Sequence, residues 1–283
     1  MKICRTIESL SQALSAAGHK TVGFVPTMGF LHTGHLSLVK KCRQENDRVV
    51  VSIYVNPFQF GPNEDLDRYP RDPERDIALL EKEKTDLLFM PDSLEIYPPG
   101  YATYVTVEGL DAVLCGESRP GHFRGVATIV LKLFNLIGPQ RAYFGQKDAQ
   151  QAIVIRRMVR DLNLPVQVKV LPIVRDSDGL ALSSRNVYLA PAERLAARHL
   201  PQALAAAAVL IGNGVGDSAV LKKAMAEELA KDPLIQIEYI ALVRLQDLSG
   251  ITSIEKGNTL IAAAICVGKT RLIDNLLLGD LSC

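Results

Sequence analysis

Apolar positions along this chain come in two rhythms. Short unbroken runs at Thr21–Val25, Arg48–Val55, Asp86–Met90, Arg141–Phe144 and Val166–Val170 are rich in Val, Ile, Leu and Phe. Runs of this length predict strands buried on both faces. Between them, apolar residues recur at helical spacing and predict helices over 7–17 (ending at Gly18), 34–46, 73–84, 123–137 and 147–161. Pro73 suits the first position of its helix. Tyr101–Val107 is expected to be a further strand. Alternation of this kind predicts parallel strands joined by right-handed crossovers, with sites beyond the carboxyl ends of the strands. The polar stretch 56–72 is too long to be only a connector.

After Val174 the pattern changes. Asp176-Ser177-Asp178-Gly179 is a turn sequence. Two Ala-rich helices are expected near 191–211 and 217–231, separated by Gly212–Gly216. Three strands follow near 235–242, 259–267 and 270–277, the last two as a hairpin. The expected architecture is α/β: a Rossmann-like parallel-sheet domain over 1–175, then a smaller α+β domain over 176–283 that closes on it as a lid.

Composition narrows the partners. Of 283 residues, 48% are hydrophobic, enough for such cores. The net charge of +1, from 32 basic and 31 acidic residues, gives no electrostatic reason to expect nucleic acid or a membrane surface. The longest apolar runs, Ala203–Ile211 and Leu260–Val267, are short of a membrane span. Lys2 and Arg5 lead into polar residues rather than a secretory signal. Cysteines at 4, 42, 115, 266 and 283 form no close pairs, so reduced thiols and a cytoplasmic location are expected.

Chemistry-bearing residues collect where strands end. After Thr21–Val25 the chain reads Pro26-Thr27-Met28-Gly29-Phe30-Leu31-His32-Thr33-Gly34-His35. Two histidines three apart at a helix start can point to one side. The free N–H groups and the dipole there suit a phosphate. A metal site fits less well, because the pair supplies only two ligands. Asn56 and Gln59 follow the second strong strand and offer uncharged amides to a hydroxyl or carboxylate. In Phe144-Gly145-Gln146-Lys147-Asp148, Gly145 permits close approach, Lys147 can reach a phosphate and Asp148 can accept from a ribose. Gln151 lies one turn on from Lys147. Leu182-Ser183-Ser184-Arg185 offers hydroxyls and a guanidinium as a phosphate clamp. The Gly-rich segment Gly116–Gly125, with Arg119, His122 and Arg124, either lines the same cleft or is a plain loop, and is no Walker A motif.

These motifs, in this order, resemble the pantothenate synthetase (pantoate–β-alanine ligase) family over essentially the whole chain. Pro-Thr-Met-Gly-x-Leu-His-x-Gly-His, Val-Asn-Pro-x-Gln-Phe, Arg-Tyr-Pro-Arg, Arg-Pro-Gly-His-Phe-Arg-Gly-Val, Phe-Gly-x-Lys-Asp and Gly-Leu-Ala-Leu-Ser-Ser-Arg-Asn all occur. The resemblance implies that pantoate attacks the α-phosphorus of ATP, giving pantoyl adenylate and pyrophosphate. The amine of β-alanine then attacks the acyl adenylate, releasing pantothenate and AMP. Family ATP contacts carry over to Met28, Gly29, Phe30, Leu31, His32, Thr33, Gly34 and His35. They continue at Gly145, Gln146, Lys147, Asp148, Val174, Leu182, Ser183, Ser184 and Arg185. Pantoate contacts carry over to Gln59 and Gln151, and Gln59 also lies near the β-alanine site. His35 matches the family's proton donor, with His32, Lys147, Ser183 and Arg185 beside it in the catalytic set. Mg²⁺ is expected on the ATP phosphates; acidic residues near Asp76 could help hold the metal, but no direct ligand is assigned. A homodimer is expected. Gln146 stands where the family often has Glu, and Ala149 where an aromatic is frequent. Two other functions share the opening histidines: a nucleotidylyltransferase acting on a phosphorylated acceptor, which the neutral Gln59 and Gln151 disfavour, and a non-catalytic nucleotide sensor.

Overall fold

The computed structural model describes residues 1–16, 20–62 and 64–281. The predicted end of the first helix at Gly18, and Cys283, lie outside the described residues. Strand β1 (Lys2–Cys4) and helix α1 (Ile7–Ser15) lead into β2 (Val22–Thr27), α2 (Thr33–Glu45) and β3 (Arg48–Ile53). A short 3-10 turn at Pro57–Gln59 precedes α3 (Pro73–Lys82), β4 (Leu87–Phe89), α4 (Ser93–Ile96), α5 (Cys115–Ser118) and α6 (His122–Ile137). Then come β5 (Arg141–Gly145), a 3-10 turn at Gln146–Asp148, α7 (Ala149–Asp161) and β6 (Gln167–Leu171). The rest is a 3-10 turn at Ser184–Tyr188, α8 (Pro191–Ala197), α9 (His199–Gly212), α10 (Ser218–Leu229), β7 (Ile235–Arg244), β8 (Asn258–Val267) and β9 (Thr270–Gly279).

The larger sheet runs β1-β4-β3-β2-β5-β6, with every pair parallel. Alternate residues face opposite ways along a strand, and both faces are apolar. Phe24, Val50 and Phe144 pack with α1, α6 and α7 on one side; Val25, Val49, Val51 and Leu88 pack with Val39 of α2 and Leu80 of α3 on the other. The chain winds outward from β2 in one direction and resumes at β5 on its other flank. That reversal opens a crevice at the carboxyl ends of β2 and β5. The smaller sheet is antiparallel, β7-β8-β9. One of its faces packs on α9 and α10, while Val243, Leu260 and Ala262 join the same apolar cluster as α7.

Two expectations fail locally. Tyr101–Val107 is not a strand. Its aromatic residues instead cluster: Tyr101 lies 4.9 Å from Tyr97 and Tyr104 lies 5.6 Å from Phe58, ring centre to ring centre. Arg124 and Lys132 of α6 sit over Tyr104 and Tyr101, and the Val105 amide donates to Thr128 Oγ1 at 2.9 Å. The alternating side chains serve the helix surface rather than a neighbouring strand. The helix expected near 191–211 is two, broken at Arg198. Pro201 has no N–H to donate back to Ala197, which removes the bond that would carry α8 into α9. By length and composition alone the stretch Pro191–Gly212 could cross a membrane. Here Leu200, Ala203, Leu204 and Ala207 are buried in the smaller core.

Candidate active site

The crevice begins where β2 ends. Thr27 Oγ1 donates to the Ser52 carbonyl at 2.8 Å and accepts from the Gly29 amide at 3.2 Å, which turns the chain sharply. Gly29 and Phe30 both adopt positive φ, +82° and +49°. The unusual turn is held by Asp76 of α3. Its two carboxylate oxygens accept from the Phe30 and Leu31 amides, each at 2.7 Å. Asp76 is 1% exposed, and its oxygens are directed at backbone.

This turn delivers His32 as the cap of α2 and His35 one turn in. Their rings lie 4.0 Å apart, centre to centre. The His32 amide donates to His35 Nδ1 at 3.4 Å. An accepting Nδ1 leaves the proton of a neutral His35 on Nε2. Burial and the nearby Lys147 cation push His32 down to about 4, and burial, His32 and Lys147 hold His35 well below its ordinary range. Both rings are therefore neutral at pH 7: hydrogen-bond donors without charge.

The opposite lip comes from β5 and the 3-10 turn after it. Gly145, Lys147 and Asp148 line the cavity, and Lys147 Nζ lies 3.4 Å from Asp148 Oδ1. Gln146 points elsewhere. Its Nε2 donates to Asn275 Oδ1 on β9 at 3.1 Å, and Asn275 Nδ2 returns bonds to the carbonyls of Gln146 and Lys147 at 3.0 and 3.1 Å. Gln151, on the first turn of α7, lines the cavity.

Val174 and the segment 182–185 close the remaining side. The turn at Asp176–Gly179 forms as expected, and Leu182 donates to the Val174 carbonyl at 3.0 Å. Ser184 Oγ donates to the Phe30 carbonyl at 3.2 Å, and Ser183 Oγ accepts from the Arg185 amide. Arg185 is engaged by both oxygens of Asp65.

One cavity of about 220 Å³ thus receives Met28, His32, Gly34, His35, Gly145, Lys147 and Asp148, together with Val174, Leu182–Arg185, Asn56, Gln59 and Gln151. An adjoining cavity of about 280 Å³ shares Lys147, Asp148, Ser183 and Arg185. Gly29, Phe30, Leu31, Thr33 and Gln146 do not line the first cavity; Leu31 is buried in the core below it. Asn56 is 1% exposed with its amide spent on the Gly125 carbonyl, Gln59 Oε1 and Tyr97 Oη, so it supports Gln59.

Sequence reasoning missed one wall. Val126, Ile129, Val130 and Leu133 form a single face of α6 and line the cavity. Their spacing is visible in the sequence, but it is the spacing of any core-facing helix. Of the two alternatives for the Gly116–Gly125 segment, cleft lining or plain loop, Arg119 and His122 follow the first and line the cavity.

The family model for pantoate-beta-alanine ligase matches residues 2–277. The pantothenate synthetase of Thermotoga neapolitana is 54% identical over 281 residues, covering 99% of this chain and 100% of its own. That of Moorella thermoacetica is 53% identical, covering 98% and 99%. Among solved structures, pantothenate synthetase from Thermus thermophilus superposes with a TM-score of 0.94 at 49% identity, covering 99% and 100%. The pantoate-beta-alanine ligase of Francisella tularensis, complexed with beta-gamma ATP and beta-alanine, gives 0.80 at 35% identity, covering 98% and 97%. With this agreement over its full length in sequence and in fold, the chain belongs to the pantoate–β-alanine ligase family.

Proposed function

We infer that this cleft joins pantoate to β-alanine with ATP, giving pantothenate, AMP and pyrophosphate through a pantoyl adenylate. One observation carries the inference. Donors from three separate segments, at His32/His35, Lys147 and Ser183–Arg185, converge on a cavity that also presents neutral amides and an apolar helix face, with Asp148, Arg119 and His122 beside them. The donors suit a triphosphate. Gln59 and Gln151 suit the hydroxyl and carboxylate of a small acid, and the α6 face suits its methyl groups.

In the first step a pantoate carboxylate oxygen bonds to the α-phosphorus while the bond to the bridging oxygen breaks and pyrophosphate leaves. In the second, the β-alanine nitrogen bonds to the acyl carbon, AMP leaves, and the amine loses its proton. No side chain need act as nucleophile. The protein holds the reacting atoms in line and offers fixed donors where charge gathers. Neutral His35 donates from Nε2, with His32, Lys147, Ser183 and Arg185 on the phosphates. Mg²⁺ fits as an ion carried on the triphosphate, where it would neutralise phosphate charge. Such ions take one or two carboxylates at most and otherwise phosphate and water, and no group of three or more metal-binding side chains occurs among the described residues. Asp148 is the carboxylate in the cavity nearest Lys147.

The division into 1–175 and 176–283, a homodimer and a cytoplasmic location belong to the same reading. The two sheets and the free thiols of Cys4, Cys42, Cys115 and Cys266 support the first and last. Light scattering on the purified protein tests the dimer. The reaction is tested by ATP–pyrophosphate exchange with Mg²⁺, with and without pantoate, followed by β-alanine. Exchange that requires pantoate, and AMP release that accelerates with β-alanine, is the expected result. Folded, ATP-binding protein without pantoate-dependent exchange would overturn it.

A further inference from the structure

Gln59 is held by more than its own loop. Its backbone carbonyl accepts from His122 Nδ1 at 2.8 Å and from Arg119 Nη2 at 3.3 Å. A carbonyl can only accept, so His122 carries its proton on Nδ1. The other ring nitrogen, Nε2, lies 3.1 Å from Arg119 Nη1, which can only donate. One neutral tautomer satisfies both contacts; the other tautomer loses both, and the imidazolium loses the one to Arg119. The ring, the guanidinium and the carbonyl thus form a closed triangle. Arg119 is fixed in turn by Glu64, whose Oε1 accepts from Nε at 2.9 Å.

The ring has no competing duty. It stands at the first position of α6, whose start is capped by Gly121 with no side-chain bond. Burial, and then the Arg119 charge, pushes His122 down to about 4, so the neutral form persists across the working pH range.

We propose that His122 is a positioning residue for the hydroxy-acid substrate: it fixes the Gln59 carbonyl through Nδ1 and Arg119 through Nε2, and so aims the Gln59 amide. Both nitrogens are engaged by protein, so His122 acts through Gln59 and Arg119 rather than on the reacting atoms. The proposal rests on the assignment of Gln59 to pantoate.

Two substitutions separate its halves. An Asn side chain places its N–H₂ near Nδ1; a Gln side chain reaches toward Nε2. The test is steady-state kinetics of the full chain, with pantoate and ATP varied in turn, for His122→Ala, His122→Asn, His122→Gln and Gln59→Ala. His122→Ala removes both contacts, and losing the bond that holds the Gln59 carbonyl should raise its pantoate KM about tenfold, with the ATP KM nearly unchanged. His122→Asn should recover most of the pantoate KM, and His122→Gln should not. Should His122→Ala fail to fold, as judged by thermal unfolding, the Asn and Gln variants still decide. Equal pantoate KM values in those two overturn the proposal, as does a wild-type value in a folded His122→Ala. If Gln59→Ala raises the pantoate KM while the His122 variants do not, only this proposal fails. If Gln59→Ala leaves it unchanged, the underlying assignment fails too.

Discussion

Arg185 and Asp65 meet in a two-point ion pair, Nε to Oδ2 at 2.8 Å and Nη2 to Oδ1 at 2.7 Å. The guanidinium fork assigned to phosphate therefore already holds a carboxylate of similar shape. Under the proposed function, nucleotide and Asp65 compete for it. Asp65→Asn weakens that competitor and removes a negative charge beside the phosphates. The expected outcome is an ATP KM lower by about three- to tenfold, read in steady-state kinetics or by calorimetric titration. A higher ATP KM would mean that Asp65 orients Arg185 rather than occupying it.

His35 supplies an uncharged donor at the strand end. Losing one such donor costs roughly 10²–10³ in rate. His35→Ala should show that loss in kcat for pyrophosphate exchange, with its unfolding temperature close to that of the parent. Near-parental turnover would take His35 out of the mechanism.

Three partly buried rings give stability a pH dependence with a definite sign. His32 and His122 are pushed down to about 4, and His35 lies well below its ordinary value. Between about 6.5 and 4 the unfolded chain binds protons that the folded chain refuses, so stability falls as pH falls. The contribution is fully present above about pH 6.5. With a pKa difference of one worth about 1.4 kcal/mol, His32 and His122 each cost on the order of 3 kcal/mol by pH 4, and His35 acts in the same direction. Urea unfolding at a series of pH values checks this; a flat profile from pH 7 to 4.5 would contradict the buried, neutral assignment.

Gly125 is where α6 touches the Gln59 turn. A methyl group there would lie 2.2 Å from the Phe58 carbonyl oxygen and 2.7 Å from the Gln59 amide nitrogen. Gly125→Ala must therefore push the turn away from the helix. A loss of about 1–3 kcal/mol in stability is expected, together with a pantoate KM raised more than the ATP KM. Unchanged unfolding and unchanged pantoate KM would refute the contact.

Much of this was legible in the sequence, because its signals are local. Val49, Val50 and Val51 read as a strand buried on both faces and are fully buried. The motifs at His32, Lys147 and Ser183 stand at element ends, where a parallel sheet gathers them. What escaped depends on partners distant in sequence. Tyr101–Val107 alternates like a strand, yet its rings find Phe58 and α6. In sequence the acids near Asp76 suggest help for a metal, and only the fold brings Asp76 under the Phe30 and Leu31 amides, far earlier in the chain. His122 and Arg119 could not be told from a loop until Gln59 lay against them.

The bonds from Asn275 to the Gln146 and Lys147 carbonyls tie chemistry in the large sheet to strand register in the small one. Asn275 stands opposite Ala262, and that pairing is counted from a two-residue turn, Gly268-Lys269, between Val267 and Thr270. Neighbouring strand residues face opposite ways, so a slip of one position would turn Asn275 away and present Asp274 or Leu276 in its place. An insertion at that distant hairpin tip would thus misplace Lys147. The reach of this lysine is set by the length of a turn.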